Sequence, residues 1–243
     1  MSAFIAASPA NAAPVLPAPL KREDFTEERI QRFARLAAQA GFRVTTEAER
    51  DASLAKALAR RPDSGDLWVF GYGSLMWNPA LLVEESRPAK IFGYRRRFCL
   101  DQCYGRGSPE VRGAMLGLDR GGATRGVAHR IAAENIASET KILWRREMPS
   151  GAYIPTWSRA ALDGGRVWVL TFVNDTAHGR YIGALDEDAI VARIALAEGQ
   201  SGTNRAYLYD TVDCLQALGI ADKGLIHLAR RVRAYRAARN LAP

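Results

Sequence analysis

The sequence predicts an α+β fold: a small β-barrel with flanking helices, preceded by an N-terminal helical extension. Three observations predict it. Between Leu67 and Val173, short apolar or alternating segments follow one another closely and are interrupted by one helical stretch, a spacing that favours a barrel-like sheet over repeated βαβ units. After Gly183 the apolar period changes to that of helices and stays so to the end. Before Leu67 stand two separately capped helical segments. The chain accordingly divides into a tail over residues 1–20, a helical extension over 21–65 and a main domain over 66–243.

Residues 1–20 are rich in Ala and Pro and lack periodicity, which reads as a flexible tail. Thr26 caps a first helix, with Glu27 and Glu28 favourably placed in its opening turn, Ile30, Phe33, Leu36 and Ala37 on one face, and Gly41 at its end. Thr46 and Glu49 form a capping-box pair for a second helix carrying Leu54 and Leu58. A polar hinge over 60–65 leads into a buried strand from Leu67. Ala89 to Leu100 alternates as a strand, with Phe92, Tyr94, Phe98 and Leu100 on one face and Gly93, Arg95 and Arg97 on the other. A loop over 102–111 precedes two short strands, 113–118 and 126–131, around an Asp119-Arg120-Gly121-Gly122 turn. Ala132 to Met148 reads as a helix stopped by Pro149 and Gly151. Strands follow at 153–157 and 167–173, the latter apolar on both faces and therefore central. Helices close the chain at 186–198, at 204–218 and from Lys223, the last with Leu225, Leu228, Val232 and Tyr235 opposite an arginine-rich face.

Composition narrows the function classes. With 48% apolar residues the chain can build a sizeable core, and no run is long enough for a membrane-spanning helix. The net charge of +8 would suit a nucleic acid, a membrane surface or an acidic substrate, but the arginines are scattered and no nucleic-acid-binding signature accompanies them. A solvated basic surface is the expectation. Cys99, Cys103 and Cys214 are too few and too scattered for a disulfide framework, which fits a reducing compartment. With His129, His178 and His227 far apart, no metal-ligand spacing is present. The N-terminus lacks the charged region of a secretory leader, so a cytoplasmic protein is expected.

Four places carry possible chemistry. Leu67-Trp68-Val69-Phe70 runs straight into Gly71-Tyr72-Gly73-Ser74-Leu75. Either this is a plain buried strand with a glycine turn, or its glycines permit positive φ and close approach while backbone N–H groups form an anion-binding concavity. It is not a phosphate loop, because it lacks the GxxxxGK[ST] pattern. Glu147, after Trp144 and two arginines, is either desolvated towards a working base or held ionised by Arg145 or Arg146. The polar turn Gly199 to Asn204 is either a donor cluster or a helix cap, and Tyr181 either places a phenol near a site or packs on the sheet.

Five segments in order resemble the ChaC-like γ-glutamylcyclotransferases: Phe70 to Trp77, Gly93-Tyr94-Arg95-Arg96-Arg97-Phe98, Trp144-Arg145-Arg146-Glu147-Met148, Tyr181-Ile182-Gly183, and Ser201-Gly202 with Asn204, Tyr207 and Leu208. The resemblance implies a small mixed β-barrel with 66–243 as the catalytic domain. It also implies cleavage of glutathione to 5-oxoproline and cysteinylglycine with no cofactor, metal or nucleotide. Position by position, Tyr72, Gly73, Ser74 and Leu75 match the loop that holds the γ-glutamyl group. Glu147 matches the catalytic glutamate, and Tyr181 and Tyr207 match pocket-lining residues. Arg205-Ala206 departs from the acidic residue expected before Tyr207. The expected partner is a small molecule, with neither nucleic acid nor membrane; monomer and homodimer both stay open. The rivals are another γ-glutamyl compound as substrate and a non-catalytic binding module.

Overall fold

Residues 21–241 are described by the computed structural model of the chain; the tail expected over 1–20 lies outside them. Helix α1 spans Glu27–Gln39, and Thr26 caps it by accepting from the Arg29 N–H. Helix α2 spans Glu47–Ala59, and the reciprocal Thr46–Glu49 capping box is formed. Strands β1 (Leu67–Gly71), β2 (Glu85–Gln102), β3 (Gly113–Ile131), β4 (Tyr153–Leu162) and β5 (Gly165–Asn174) close a barrel in the order β1-β3-β2-β4-β5. Helix α3 (Ile136–Glu147) connects β3 to β4. The barrel is mixed because β1 is antiparallel to β3 but parallel to β5, closing through Val69 and Leu170. Helices α4 (Glu187–Leu196), α5 (Asn204–Ala217) and α6 (Lys223–Ala237) follow, with a small hairpin of β6 (Glu198–Gly199) and β7 (Gly202–Thr203) between α4 and α5.

Two expectations about the strands are corrected. The Asp119 to Gly122 segment does not reverse the chain; β3 runs through it as one strand paired with β2 along its length. Gly121 and Gly122, both at positive φ, oppose the single Gly93, also at positive φ, so the extra residue makes a bulge in the ladder. That bulge also breaks the alternation of β2. Phe92 lies 50% exposed while Ile91 is fully buried, and a second irregularity at Cys99 leaves Phe98, Cys99 and Leu100 all buried. A sequence period of two cannot register an inserted residue.

Apolar side chains gather in two clusters. One joins Phe70, Ile91, Phe98, Leu116 and Leu118 of the barrel to Ile194, Leu208 and Val232 of α4–α6. The other joins Leu67, Val69, Leu170 and Phe172 to Leu143 and Trp144 of α3 and Leu54 of α2. Strands β1 and β5 therefore contribute to both clusters, as the apolar sequence on both faces of β5 anticipates. The arginine-rich face of α6 is largely engaged. Arg231 pairs with Glu187 and Asp188, Arg233 lies over the Tyr209 ring, and the buried Arg236 donates to the Ala195 carbonyl. None of the helices among the described residues is long and apolar enough to cross a membrane.

Candidate active site

Strand β1 delivers the chain into the glycine turn. Neither Gly71 nor Gly73 takes positive φ, contrary to one part of the expectation; both are needed for close approach. A Cβ on Gly71 would fall 2.8 Å from Leu75 Cβ, and one on Gly73 would fall 2.6 Å from the Tyr207 hydroxyl. The neighbouring Gly126 on β3 is as constrained, since a Cβ there would sit 2.2 Å from the Gly71 carbonyl oxygen. A single 3₁₀ turn, Ser74–Met76, follows. Its shape is fixed from outside. The Tyr72 carbonyl accepts from Arg96 at 2.7 Å, and the Leu75 carbonyl lies 2.8 Å from His129 Nε2. Burial lowers the His129 pKa, so the ring is neutral. Nε2 must carry the proton to bond a carbonyl, which leaves Nδ1 to accept from Ser86 Oγ at 2.8 Å.

Glu147 is the last residue of α3, and its side chain is only 17% exposed. Arg146 donates to it from Nε at 2.9 Å, to Ser74 Oγ from Nη2 at 2.9 Å, and to the Asn78 and Pro79 carbonyls from Nη1 at 2.5 and 3.1 Å. One guanidinium thus ties the carboxylate to the glycine turn and to the chain leaving it. The two possibilities posed by the sequence act together. Desolvation raises the Glu147 pKa, the charge and hydrogen bond of Arg146 lower it, and desolvation wins. Sitting at the negative end of the helix dipole adds to the raise. Arg145 points elsewhere, to Glu47 at 3.5 Å.

Three phenols, the buried Tyr72 and Tyr207 and the partly buried Tyr153, feel the charge of Glu147. Tyr72, Tyr153 and Tyr207 all have raised pKa values, with burial the first cause and Glu147 among the others, so each remains a neutral hydroxyl. Tyr72 donates to the Phe172 carbonyl at 2.8 Å and Tyr153 to the Leu116 carbonyl at 3.2 Å. Tyr207, on α5, rests its hydroxyl against Gly73. Its helix is fixed by Asn204, whose side chain bonds both the N–H and the C=O of Ala114 at 2.8 Å, while Thr203 caps the helix. The polar turn at 199–204 is therefore a docking and capping device.

The structure thus brings Tyr72, Gly73, Ser74, Leu75, Glu147 and Tyr207 together. Tyr181 lies in an adjoining cluster, where its hydroxyl donates to Asp119 at 3.0 Å, and burial followed by Asp119 raises its pKa. Sequence reading missed Tyr153, Arg96 and His129. Tyr153 opens β4 after the Gly151 turn, His129 lies within β3 where it bonds the Leu75 carbonyl, and no local pattern marks either as part of the site. A depression of about 340 Å³ lined by Phe92, Ser158, Arg159 and Arg166 shares no residue with this cluster and contains no carboxylate.

The cysteines offer no nucleophile. Cys99 is fully buried, with its thiol pushed up to about 12, chiefly by desolvation and then by Asp119; Cys103 and Cys214 are also raised by burial. No set of metal-ligating side chains converges among the described residues. The C99S/C103S/C214S triple variant is expected to keep its turnover while losing some stability at Cys99, where Asn174 Nδ2 donates to sulfur at 2.9 Å. Steady-state rates beside a thermal melt check this; a folded but inactive triple variant would reopen a thiol mechanism.

A family model described as ChaC-like protein matches residues 67–235. The chain belongs to the ChaC-like family. The "Glutathione-specific gamma-glutamylcyclotransferase" of Escherichia coli strain K12 is 45% identical over 186 residues, covering 76% of this chain and 80% of that one. The human "Glutathione-specific gamma-glutamylcyclotransferase 1" is 34% identical over 163 residues, covering 65% and 73%. A crystal structure of a yeast γ-glutamyl cyclotransferase specific to glutathione superposes with a TM-score of 0.65 at 20% identity, over 71% of this chain and 97% of that one. That likeness shows the mixed barrel to be the fold shared with the yeast protein. Every segment of the ChaC-like cluster around Glu147 falls inside the matched range, whereas α1 and α2 precede it.

Proposed function

We propose that this protein is a γ-glutamylcyclotransferase that cleaves glutathione to 5-oxoproline and cysteinylglycine in the cytoplasm, without a cofactor. The observation that carries the reading is a largely buried, Arg-paired carboxylate, Glu147, held against a glycine turn in a chain of this family. The α-amine of the γ-glutamyl group attacks its own δ-carbonyl, forming the lactam C–N bond. Glu147 takes the proton released by that amine and gives it to the departing cysteinyl nitrogen as the original amide C–N bond breaks. No water is consumed and Glu147 ends as it began. Ring closure is intramolecular, so a pocket that holds a folded γ-glutamyl conformer removes much of the entropic barrier. In this reading Tyr72, Gly73, Ser74 and Leu75 hold the γ-glutamyl group, and Tyr207 and Tyr153 border it as neutral hydroxyls. Tyr181 borders it from the Asp119 side. The basic surface favours an anionic peptide such as glutathione.

The pH dependence follows in sign. The base form of Glu147 is required, and burial raises its pKa, so kcat/KM should fall on the acid side at a pH above the usual carboxylate range. The same raise makes the folded protein bind this proton more tightly than the unfolded chain does. Its contribution to stability is thus present below the unfolded carboxylate pKa and lost as pH rises through the folded one. A pH–rate profile whose acid limb lies at ordinary carboxylate values would remove this reading of Glu147. The experiment that tests the function is incubation of purified protein with glutathione in chelator, with products read by mass spectrometry. Paired 5-oxoproline and cysteinylglycine are expected. No product from glutathione, with turnover of other γ-glutamyl amines or amino acids, would reassign the substrate.

A further inference from the structure

The corner of the fold that carries Glu147 is completed by a segment outside the ChaC-like match. Phe25, 7% exposed, packs against the Arg146 guanidinium, with 5.5 Å between the guanidinium carbon and the ring centroid. Directly beyond Glu147, the carbonyls of Met148 and Pro149 receive the Thr45 hydroxyl at 2.9 and 3.2 Å, and the Thr45 N–H bonds the Pro149 carbonyl at 2.8 Å. Met148 is the C-cap of α3 and its carbonyl also accepts the Gly151 N–H at 3.1 Å, so Thr45 pins the chain immediately after the helix alongside that turn. Thr45 is itself held. The buried Arg50 donates to the Thr45 carbonyl and pairs with both carboxylate oxygens of Glu27, at 2.9 and 2.7 Å, linking the strap to α1.

Further back along α3, Trp144 Nε1 donates to Ser53 Oγ at 3.2 Å, and Arg22 pairs with the fully buried Glu139 carboxylate. The extension thus grips α3 on its first turn, on its last turn and on the residues after it. Arg146 in turn reaches Ser74 and the carbonyls of Asn78 and Pro79. A shift of the extension would therefore pass through one guanidinium to both the carboxylate and the glycine turn.

We propose that residues 21–59 are an intramolecular clamp in which Phe25 and Thr45 are positioning residues, fixing Arg146 and the end of α3 so that Glu147 meets its substrate in register. The inference rests on the proposed role of Glu147. Misplacing a reacting group by about 1 Å costs about 10²-fold in rate, so the loss should appear in kcat with KM unchanged. Removing the Phe25 ring also admits water to the Arg146 side of the carboxylate.

The test uses the full chain and the variants Phe25→Ala, Thr45→Val and Thr45→Ser. Two quantities are read: steady-state kinetics on glutathione, and the pH titration of the Glu147 carboxyl carbon by 13C NMR, its resonance assigned by its loss in Glu147→Gln. Expected are a kcat about 10²-fold lower in Phe25→Ala and Thr45→Val at unchanged KM, wild-type kcat in Thr45→Ser, and a Glu147 titration moved down in Phe25→Ala. If Phe25→Ala does not fold, Phe25→Leu is read in its place. Wild-type kcat and an unmoved titration in folded variants would overturn the proposal, as would a rise in KM alone, which would make the extension a binding wall. A wild type inactive on glutathione would sink the proposed substrate instead; the carboxyl titration would still decide the clamp, an unmoved resonance overturning it.

Discussion

Glu147→Gln should fold as the wild type does and lose turnover of glutathione by about 10³-fold or more, within the range by which a positioned acid–base group accelerates a reaction. The substitution is nearly isosteric. The Gln side-chain oxygen can still accept from Arg146 Nε, now 2.9 Å from the carboxylate, so the tie to Ser74 and the glycine turn is kept. What disappears is the ability to hold and return a proton. KM should change little, because the residues proposed to grip the γ-glutamyl group are untouched. Stability should not fall at neutral pH, because the variant no longer buries a carboxylate whose desolvation outweighs its pairing. Any difference from wild type should shrink in acid, where Glu147 is protonated in both the folded and unfolded chain. Circular dichroism, a thermal melt and product quantification together check this. A folded Glu147→Gln enzyme at the wild-type rate would remove Glu147 from the chemistry.

Much of the fold was legible because its signals are local. Thr26 and Thr46 cap their helices as the sequence says, and the apolar run from Leu67 ends at glycines that close approach requires. Gly121 and Gly122 read as turn-formers and Gly93 as an ordinary strand residue, but a preference for positive φ serves a bulge within a continuous ladder as readily as a reversal. Only pairing with β2 decides between them, and pairing is not a local property. The site divides along the same line. Glu147 could be singled out from its neighbours in sequence, but whether burial or Arg146 governs it depends on how closely α3 packs against the turn after β1. Tyr153, His129 and Arg96 face the site through strand register alone. The extension gave no sign of its grip on α3, because Phe25 and Thr45 look like ordinary residues beside a helix cap and act across more than 100 residues of sequence.

Arg146 is where the second large effect is expected. Its three guanidinium nitrogens serve four acceptors on three segments: the Glu147 carboxylate, Ser74 Oγ, and the Asn78 and Pro79 carbonyls. A lysine carries one nitrogen on a flexible stem and cannot reproduce that planar fork, so Arg146→Lys is not a conservative change here. It should keep a positive charge near Glu147 yet lose the register between carboxylate and turn, lowering kcat by about 10²-fold. Arg146→Ala should do more. Breaking one side of a buried pair costs about 3–5 kcal/mol when the remaining charge has no other partner. Glu147 can relieve that penalty by taking up a proton, since Arg146 is the group that lowers its pKa. The destabilisation should therefore be largest at high pH and shrink in acid, and the acid limb of any residual activity should move upward. That displacement is opposite in sign to the one expected when Phe25 is removed, because the first deletes an ion-pair partner and the second admits water. Arg146→Lys at wild-type rates with an unmoved acid limb would show that Glu147 is positioned by α3 alone, and the guanidinium would then be only a brace for the turn.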